Sequence, residues 1–233
     1  MQSLEAELER ARDLDTDELA DAIETIGFEC TRCGACCKAE ADDPHTATVF
    51  PDEVRELQDA TDYDWRDVAR PMPYGLDGEG EDAEGETFEW ALQTDACGDC
   101  AFYEEDDDGT GACSVHADRP LVCETYPFSV ALGGTSQPMG EAVDSVALEG
   151  QRGAGGTGGE AGMVRAHECE GLGRDISRDR AEDLADALKR RAVRELAEAI
   201  AVRDEYDPAY PDDGVVVHDS EGAKRPDGSE YEG

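Results

Sequence analysis

The sequence predicts an α+β fold: a small, metal-stapled, cysteine-rich core of short strands and turns, with flanking helices and a long C-terminal helix. Three observations predict it. Nine cysteines crowd toward the middle of the chain, four of them between positions 30 and 37. Helical periodicity belongs to the two flanks, whereas the middle shows short alternating or turn-rich segments. Leu, Ile, Val and Phe supply only 37 of 233 residues against a net charge of −39. That combination marks a disordered chain unless something other than apolar burial holds it together.

Taken in order, residues 1–27 read as an N-terminal helix. Asp15 with Glu18 three residues on has the pattern of a capping box, Leu19, Ile23 and Ile26 follow at helical spacing, and Gly27 stops the pattern. A second helix starts at Pro51, with Val54 and Leu57 on its apolar face, and Asp64–Arg70 adds a short helical turn. Residues 77–86, DGEGEDAEGE, form an acidic loop. Thr87–Thr94 reads as a strand with Phe88, Trp90 and Leu92 on one face. Short strands and turns follow from Cys97 to Cys123, and Ser129–Leu132 pairs with Ala142–Leu148 around Gly133-Gly134. Residues 151–162 form a glycine-rich loop that lacks the Gly-Lys-Ser/Thr end of a phosphate-binding loop. A C-terminal helix spans 176–204, with Leu184, Leu188, Val193, Leu196 and Ile200 as its stripe, and an acidic, Gly- and Pro-bearing tail over 205–233 reads as disordered. The cysteine-cluster domain then occupies 28–175.

The charge excludes whole classes of partner. Asp and Glu number 59 against 20 Lys and Arg, and 17 of those 20 are Arg. Such a surface repels nucleic acid and anionic lipid, so neither is expected as a partner. The pattern reads as a halophile's surface. The Debye length falls from about 8 Å at 0.15 M salt to about 3 Å at 1 M, so concentrated salt screens the self-repulsion. The N-terminus has no basic and apolar leader pattern, and apolar runs such as Val215-Val216-Val217 fall far short of the about 20 residues a spanning helix needs. The expected location is therefore cytoplasmic, where clustered thiols serve as metal ligands or redox groups more readily than as disulfides.

Cysteine spacing carries the chemistry. Cys30-x2-Cys33-x2-Cys36-Cys37 is followed by Cys97-x2-Cys100, Cys113, Cys123 and Cys169. Thiols two residues apart reach one ion across a tight turn, and Gly34 frees the backbone for such a turn. Thiolates select zinc, copper(I) or iron–sulfur centres over magnesium or calcium. Side chains of adjacent residues diverge, so Cys36 and Cys37 are expected to serve two metals, or a metal and a cluster. Nine thiols exceed the four of a single tetrahedral zinc, and the spacing departs from the ferredoxin run. Arg32, Lys38 and Arg119 lie near the cysteines and either compensate thiolate charge or pair with surface acids. Lys189, Arg190, Arg191 and Arg194 read as a salt-bridged helix surface.

The run CTRCGACC at Cys30–Cys37, with Cys100-Ala101-Phe102, Cys113, Arg119-Pro120-x2-Cys123-x2-Tyr126-Pro127-Phe128 and Cys169, resembles the YkgJ-type cysteine-cluster family of zinc- or iron-chelating domains. The resemblance spans roughly 28–175. It implies a metal ion as partner, zinc or iron (as ions or within an iron–sulfur cluster) as cofactor, and Cys30, Cys33, Cys36, Cys37, Cys100, Cys113, Cys123 and Cys169 as ligands. Cys97 lies outside the pattern as an accessory thiol. His116 stands where the family usually has Tyr, and with His167 is a weaker candidate ligand. Glu124 stands where the family usually has Arg. The function implied is metal chelation in a structural or metal-handling role. The alternative is an iron–sulfur or iron enzyme, since the flagellin lysine-N-methylases carry a similar cysteine pattern. A third reading is a redox sensor using Cys36-Cys37 and Cys97/Cys100. The sequence names no protein partner and no substrate.

Overall fold

A computed structural model describes residues 3–39, 44–78, 82–132, 142–149, 163–211 and 214–232. The fold is α+β, as the sequence predicts, and the long C-terminal helix is present. The glycine-rich loop lies outside the described residues. The chain divides into two compact units, Met1–Cys33 with Cys123–Ala197, and Gly34–Val122 with Glu198–Gly233. Two of the three boundaries, at 33/34 and 122/123, fall inside the span that the sequence reads as one cysteine-cluster domain, and the third, at 197/198, falls within the C-terminal helix.

In the first unit the N-terminal segment forms two helices, α1 (Leu4–Arg12) and α2 (Thr16–Ile26), where the sequence predicts one. The break follows from Asp15. Its Oδ1 accepts the N–H groups of Asp17 and Glu18, which starts a new helix instead of continuing the old one. Leu19, Ala20 and Ile23 of α2 are fully buried. Gly27 ends α2 at φ +76, and a Cβ there would sit 2.5 Å from the Arg174 carbonyl oxygen.

The first unit's sheet contains three strands of the second half of the chain, β8 (Phe128–Ala131), β9 (Ala142–Ala147) and β10 (Met163–His167). Their order is β8-β10-β9, all antiparallel. β8 and β9 therefore do not pair with each other, because β10, for which the sequence predicts no strand, takes the central place. Helix α6 (Arg178–Glu205) buries Ala181, Leu184, Ala185, Leu188, Ala192 and Leu196. Arg178 at its start contacts Asp17, Asp21, Glu24 and Glu182, so one guanidinium serves four carboxylates.

In the second unit β5 (Trp90–Leu92) lies between β1 (Thr48–Val49) and β2 (Ala69–Pro71). All three β5 residues are buried, whereas Phe88 is 44% exposed. The predicted Thr87–Thr94 strand is thus broken near Phe88, and Thr87 instead ends β4 (Glu84–Thr87). Helix α3 (Pro51–Ala60) begins at Pro51, and the buried Glu53 carboxylate accepts the N–H groups of Phe50 and Leu121. Helix α4 is Trp65–Val68, and β6 (Tyr103–Glu105) pairs with β7 (Gly111–Cys113) as a hairpin.

The tail is where the structure corrects the sequence most. Residues 205–233 hold β11 (Val215–Asp219) and β12 (Gly222–Lys224), in a sheet of order β12-β11-β4-β3, where β3 is Leu76–Asp77. Val216 and Val217 are fully buried, and β11 runs parallel to β4. The acidic loop 77–86 is accordingly in part strand. Asp219 Oδ2 accepts the Trp90 indole N–H at 2.8 Å and lies 3.1 Å from the buried Lys224 ammonium. Apolar strand residues and a neutralised buried charge outweigh the acidic composition. No helix among the described residues is long and apolar enough to cross a membrane.

Asp219→Ala is expected to cost about 2 kcal/mol, because it leaves the buried Trp90 N–H without its acceptor and removes one of two carboxylates paired with the buried Lys224, Glu221 remaining at 2.6 Å. Denaturant unfolding in molar salt checks this, with Asp219→Asn, which keeps an acceptor for Trp90, losing less.

Candidate metal centre

The two units share out the cysteines. The first holds Cys30, Cys33, Cys123 and Cys169, and the second holds Cys36, Cys37, Cys97, Cys100 and Cys113. None of the nine is in a disulfide.

In the first unit main-chain hydrogen bonds gather three cysteine-bearing segments. Glu29 N–H donates to the Gly171 carbonyl at 3.0 Å, and Gly173 N–H donates to the Gly27 carbonyl at 3.0 Å. This sets Cys30 beside the segment of Cys169. A Cβ at Gly171 would lie 2.3 Å from the Glu29 carbonyl oxygen, so the approach requires glycine. The Gly171 N–H also points at Cys169 Sγ, 3.4 Å away. His167 N–H donates to the Pro127 carbonyl at 2.9 Å, and the Tyr126 hydroxyl donates to the Glu168 carbonyl. These bonds tie the same segment to helix α5 (Leu121–Thr125), which carries Cys123.

Helix α5 is held from α6. The Arg191 guanidinium, 2% exposed, donates to Thr125 Oγ1 at 3.0 Å and is paired with Glu195. Arg190 lies 3.2 Å from both oxygens of Glu124. Glu124, the departure from the family's Arg, therefore has a basic partner on another element. Lys189 donates to the Leu14 carbonyl. Two of the helix's basic residues are thus salt-bridged as predicted, but Arg191 is core.

In the second unit Gly34 takes φ +77 and leads into the 3-10 turn Ala35–Cys37. A Cβ at Gly34 would fall 2.2 Å from the Tyr103 hydroxyl oxygen. Tyr103 is fixed by its hydrogen bond to Glu105 at 2.6 Å, and Lys38 contacts the same carboxylate while lying over the Tyr103 ring. Lys38 is thus engaged in a surface ion pair. Cys100 N–H donates to the Cys37 carbonyl at 2.8 Å, which joins the first cysteine loop to the Cys97–Cys100 turn.

The sulfurs of Cys36 and Cys37 are 3.8 Å apart. The sequence expectation that adjacent thiols diverge holds for a strand. In a 3-10 turn, with three residues per turn, successive side chains are only about 120° apart. The hydrogen bond from Cys37 pulls the Cys36 thiol down to about 7, and Arg119 acts in the same direction. Burial pushes Cys100 up to about 11 and also raises Cys113, with Arg119 opposing at Cys113. Cys97 is exposed, and its N–H donates to Asp95.

The histidines fall differently from expectation. His116 Nε2 accepts from Arg119 at 2.8 Å. His167 is buried in β10 and bonds to Ser129 Oγ at 2.8 Å. His45, which spacing does not single out, lies at the second unit's cysteines, with Nε2 3.0 Å from the Cys36 carbonyl oxygen. Burial lowers the pKa of its ring. Its Nδ1 is buried and has no hydrogen-bond partner among the described residues.

Among the described residues, no three His, Cys, Asp or Glu side chains are arranged so that they could hold a metal ion. Within each unit cysteine-bearing segments are brought together, but no three candidate ligands converge. The donors nevertheless suit zinc or iron in kind: soft thiols, a close sulfur pair and an orphaned imidazole nitrogen.

The family model described as "CxxCxxCC: Putative zinc- or iron-chelating domain" matches residues 29–146, half of the chain. The chain belongs to this family. The match includes eight of the nine cysteines and ends before Cys169. No curated protein and no solved structure matches the chain significantly.

In metal-free protein, alkylation of Cys36 by iodoacetamide is expected to reach half its maximal rate near pH 7. Cys37→Ala should move that midpoint up toward the ordinary thiol range. Mass-spectrometric quantification across pH reads both, and a Cys36 midpoint near 9 would contradict the assigned hydrogen bond.

Proposed function

We propose that this protein chelates zinc or iron through two thiolate sets, one in each unit, in a structural or metal-handling role. Cys30, Cys33, Cys123 and Cys169 form the first set, and Cys36, Cys37, Cys100 and Cys113 the second. Cys97 is an accessory thiol. The observation that carries the reading is the 3.8 Å separation of the Cys36 and Cys37 sulfurs. Two sulfurs bound to a tetrahedral zinc at about 2.3 Å stand about 3.8 Å apart, the edge of that tetrahedron. A bound ion would supply a multivalent positive charge that holds several chain segments at once.

The chain's own residues prepare that event. Thiols must lose their protons to bind metal. Cys36, already pulled down to about 7, gives up its proton first, and the Arg119 charge favours the anion at Cys36 and Cys113. Cys100, pushed up to about 11 by burial, stays protonated until an ion competes for its sulfur. Capture therefore releases protons and strengthens as pH rises. Main-chain hydrogen bonds such as Cys100 to Cys37 and Glu29 to Gly171 keep the segments near one another beforehand, which lowers the ordering cost of closing the thiols on an ion.

The test is anaerobic purification in molar salt followed by metal and acid-labile sulfide analysis. Close to two zinc or iron ions per chain are expected. Stoichiometric sulfide with broad visible absorption would assign an iron–sulfur centre. Folded protein holding neither zinc nor iron would overturn the proposal.

A further inference from the structure

His45 lies eight residues beyond Cys37, in an acid-rich stretch with no metal-ligand spacing. The structure nevertheless seats it between two cysteine-bearing segments of the second unit. Its backbone N–H donates at 2.8 Å to the carbonyl of Gly98, inside the Cys97–Cys100 turn. Arg70 Nη2 donates to its carbonyl oxygen at 2.9 Å. Its ring Nε2 is 3.0 Å from the Cys36 carbonyl oxygen. Backbone and ring are therefore both held.

The ring bond decides where the lone pair is. A carbonyl only accepts, so Nε2 carries the proton, and in the neutral ring Nδ1 is left as the acceptor. That nitrogen is buried without a partner among the described residues. Buried polar atoms are almost always satisfied, so an orphan calls for an occupant. A histidine that binds a metal characteristically donates its other ring N–H to a backbone carbonyl or carboxylate, which fixes the tautomer. His45 has that half of the arrangement, and the carbonyl it uses belongs to a cysteine.

We propose that His45 Nδ1 is the nitrogen donor of a mixed sulfur–nitrogen metal site in the second unit, completed by thiols of the set Cys36, Cys37, Cys100 and Cys113. The inference rests on the metal reading of those thiols. Its ligand is a divalent, borderline-soft cation such as zinc, for which imidazole and thiolate are both good donors. A neutral imidazole in place of a fourth thiolate also leaves the site with one fewer negative charge, a gain in a chain of net charge −39.

Cobalt(II), added anaerobically to the full chain, is the probe. His45→Gln keeps a side-chain N–H able to donate to the Cys36 carbonyl but offers no imidazole. The substitution is expected to shift the cobalt ligand-field bands and to weaken cobalt binding about tenfold or more, with sulfur-to-cobalt charge transfer retained. Wild-type cobalt protein should show a paramagnetically shifted, exchangeable imidazole N–H proton that the variant lacks. A folded variant with unchanged bands and affinity would overturn the His45 assignment. So would a cobalt-loaded wild type without that proton signal, a result that does not depend on the variant folding. Wild-type protein that takes up neither cobalt nor zinc would instead overturn the metal reading on which the assignment rests.

Discussion

The hydrogen bond from the Cys100 N–H to the Cys37 carbonyl, 2.8 Å long, and its counterpart from Glu29 to Gly171 in the other unit carry the arrangement of the thiols. Each joins a cysteine-bearing segment to another far away in sequence. Glycine permits the second of these approaches and makes room beside the first. At Gly34 a Cβ would meet the Tyr103 hydroxyl, and at Gly171 it would meet the Glu29 carbonyl. The glycine in the CxxCGxCC run thus lets the loop lie against Tyr103. The thiol chemistry depends on this backbone stitching: the proximity of Cys36 to Cys37, the reach of Arg119 to Cys36 and Cys113, and the seat of His45 beside Cys36.

Scarcity of large apolar side chains shapes the rest. Much of the buried surface of α6 is alanine, at Ala181, Ala185, Ala187 and Ala192, and the second unit relies on a few large residues such as Trp90 and Phe102. Basic residues, equally scarce, serve several partners. Arg178 meets four carboxylates, and the buried Arg191 contacts Thr125 and Glu195. Exposed pairs such as that of Arg190 with Glu124 are individually worth little, so they orient elements more than they hold the fold. Two units with modest cores are a setting in which metal–sulfur bonds would matter for stability.

Local signals carried the helices well. Asp15 caps α2 as its spacing implies, Pro51 opens α3, and the 176–204 stripe became Arg178–Glu205. The spacing of the cysteines marks thiol-rich segments as candidate ligands. What the sequence concealed depends on long-range partners. The Val215–Val217 run looks like an isolated apolar patch in an acidic tail, and only its pairing with β4 and the Trp90–Asp219 bond make it a strand. β10 is central because β8 and β9 flank it, which no property of its own residues announces. His45 carried no spacing signal, since its role comes from the fold bringing it to the Cys36 carbonyl. Adjacent side chains diverge in extended backbone, and the 3-10 turn that brings Cys36 and Cys37 together has no local signal in the sequence.

The central claim is that cysteine sulfur, with one imidazole, holds metal in this chain. X-ray absorption at the metal edge of the anaerobically isolated protein tests it most directly. A first shell dominated by sulfur at about 2.3 Å for zinc, with a minor nitrogen contribution at about 2.0–2.1 Å, is the expected result. A first shell of oxygen and nitrogen without sulfur would contradict it.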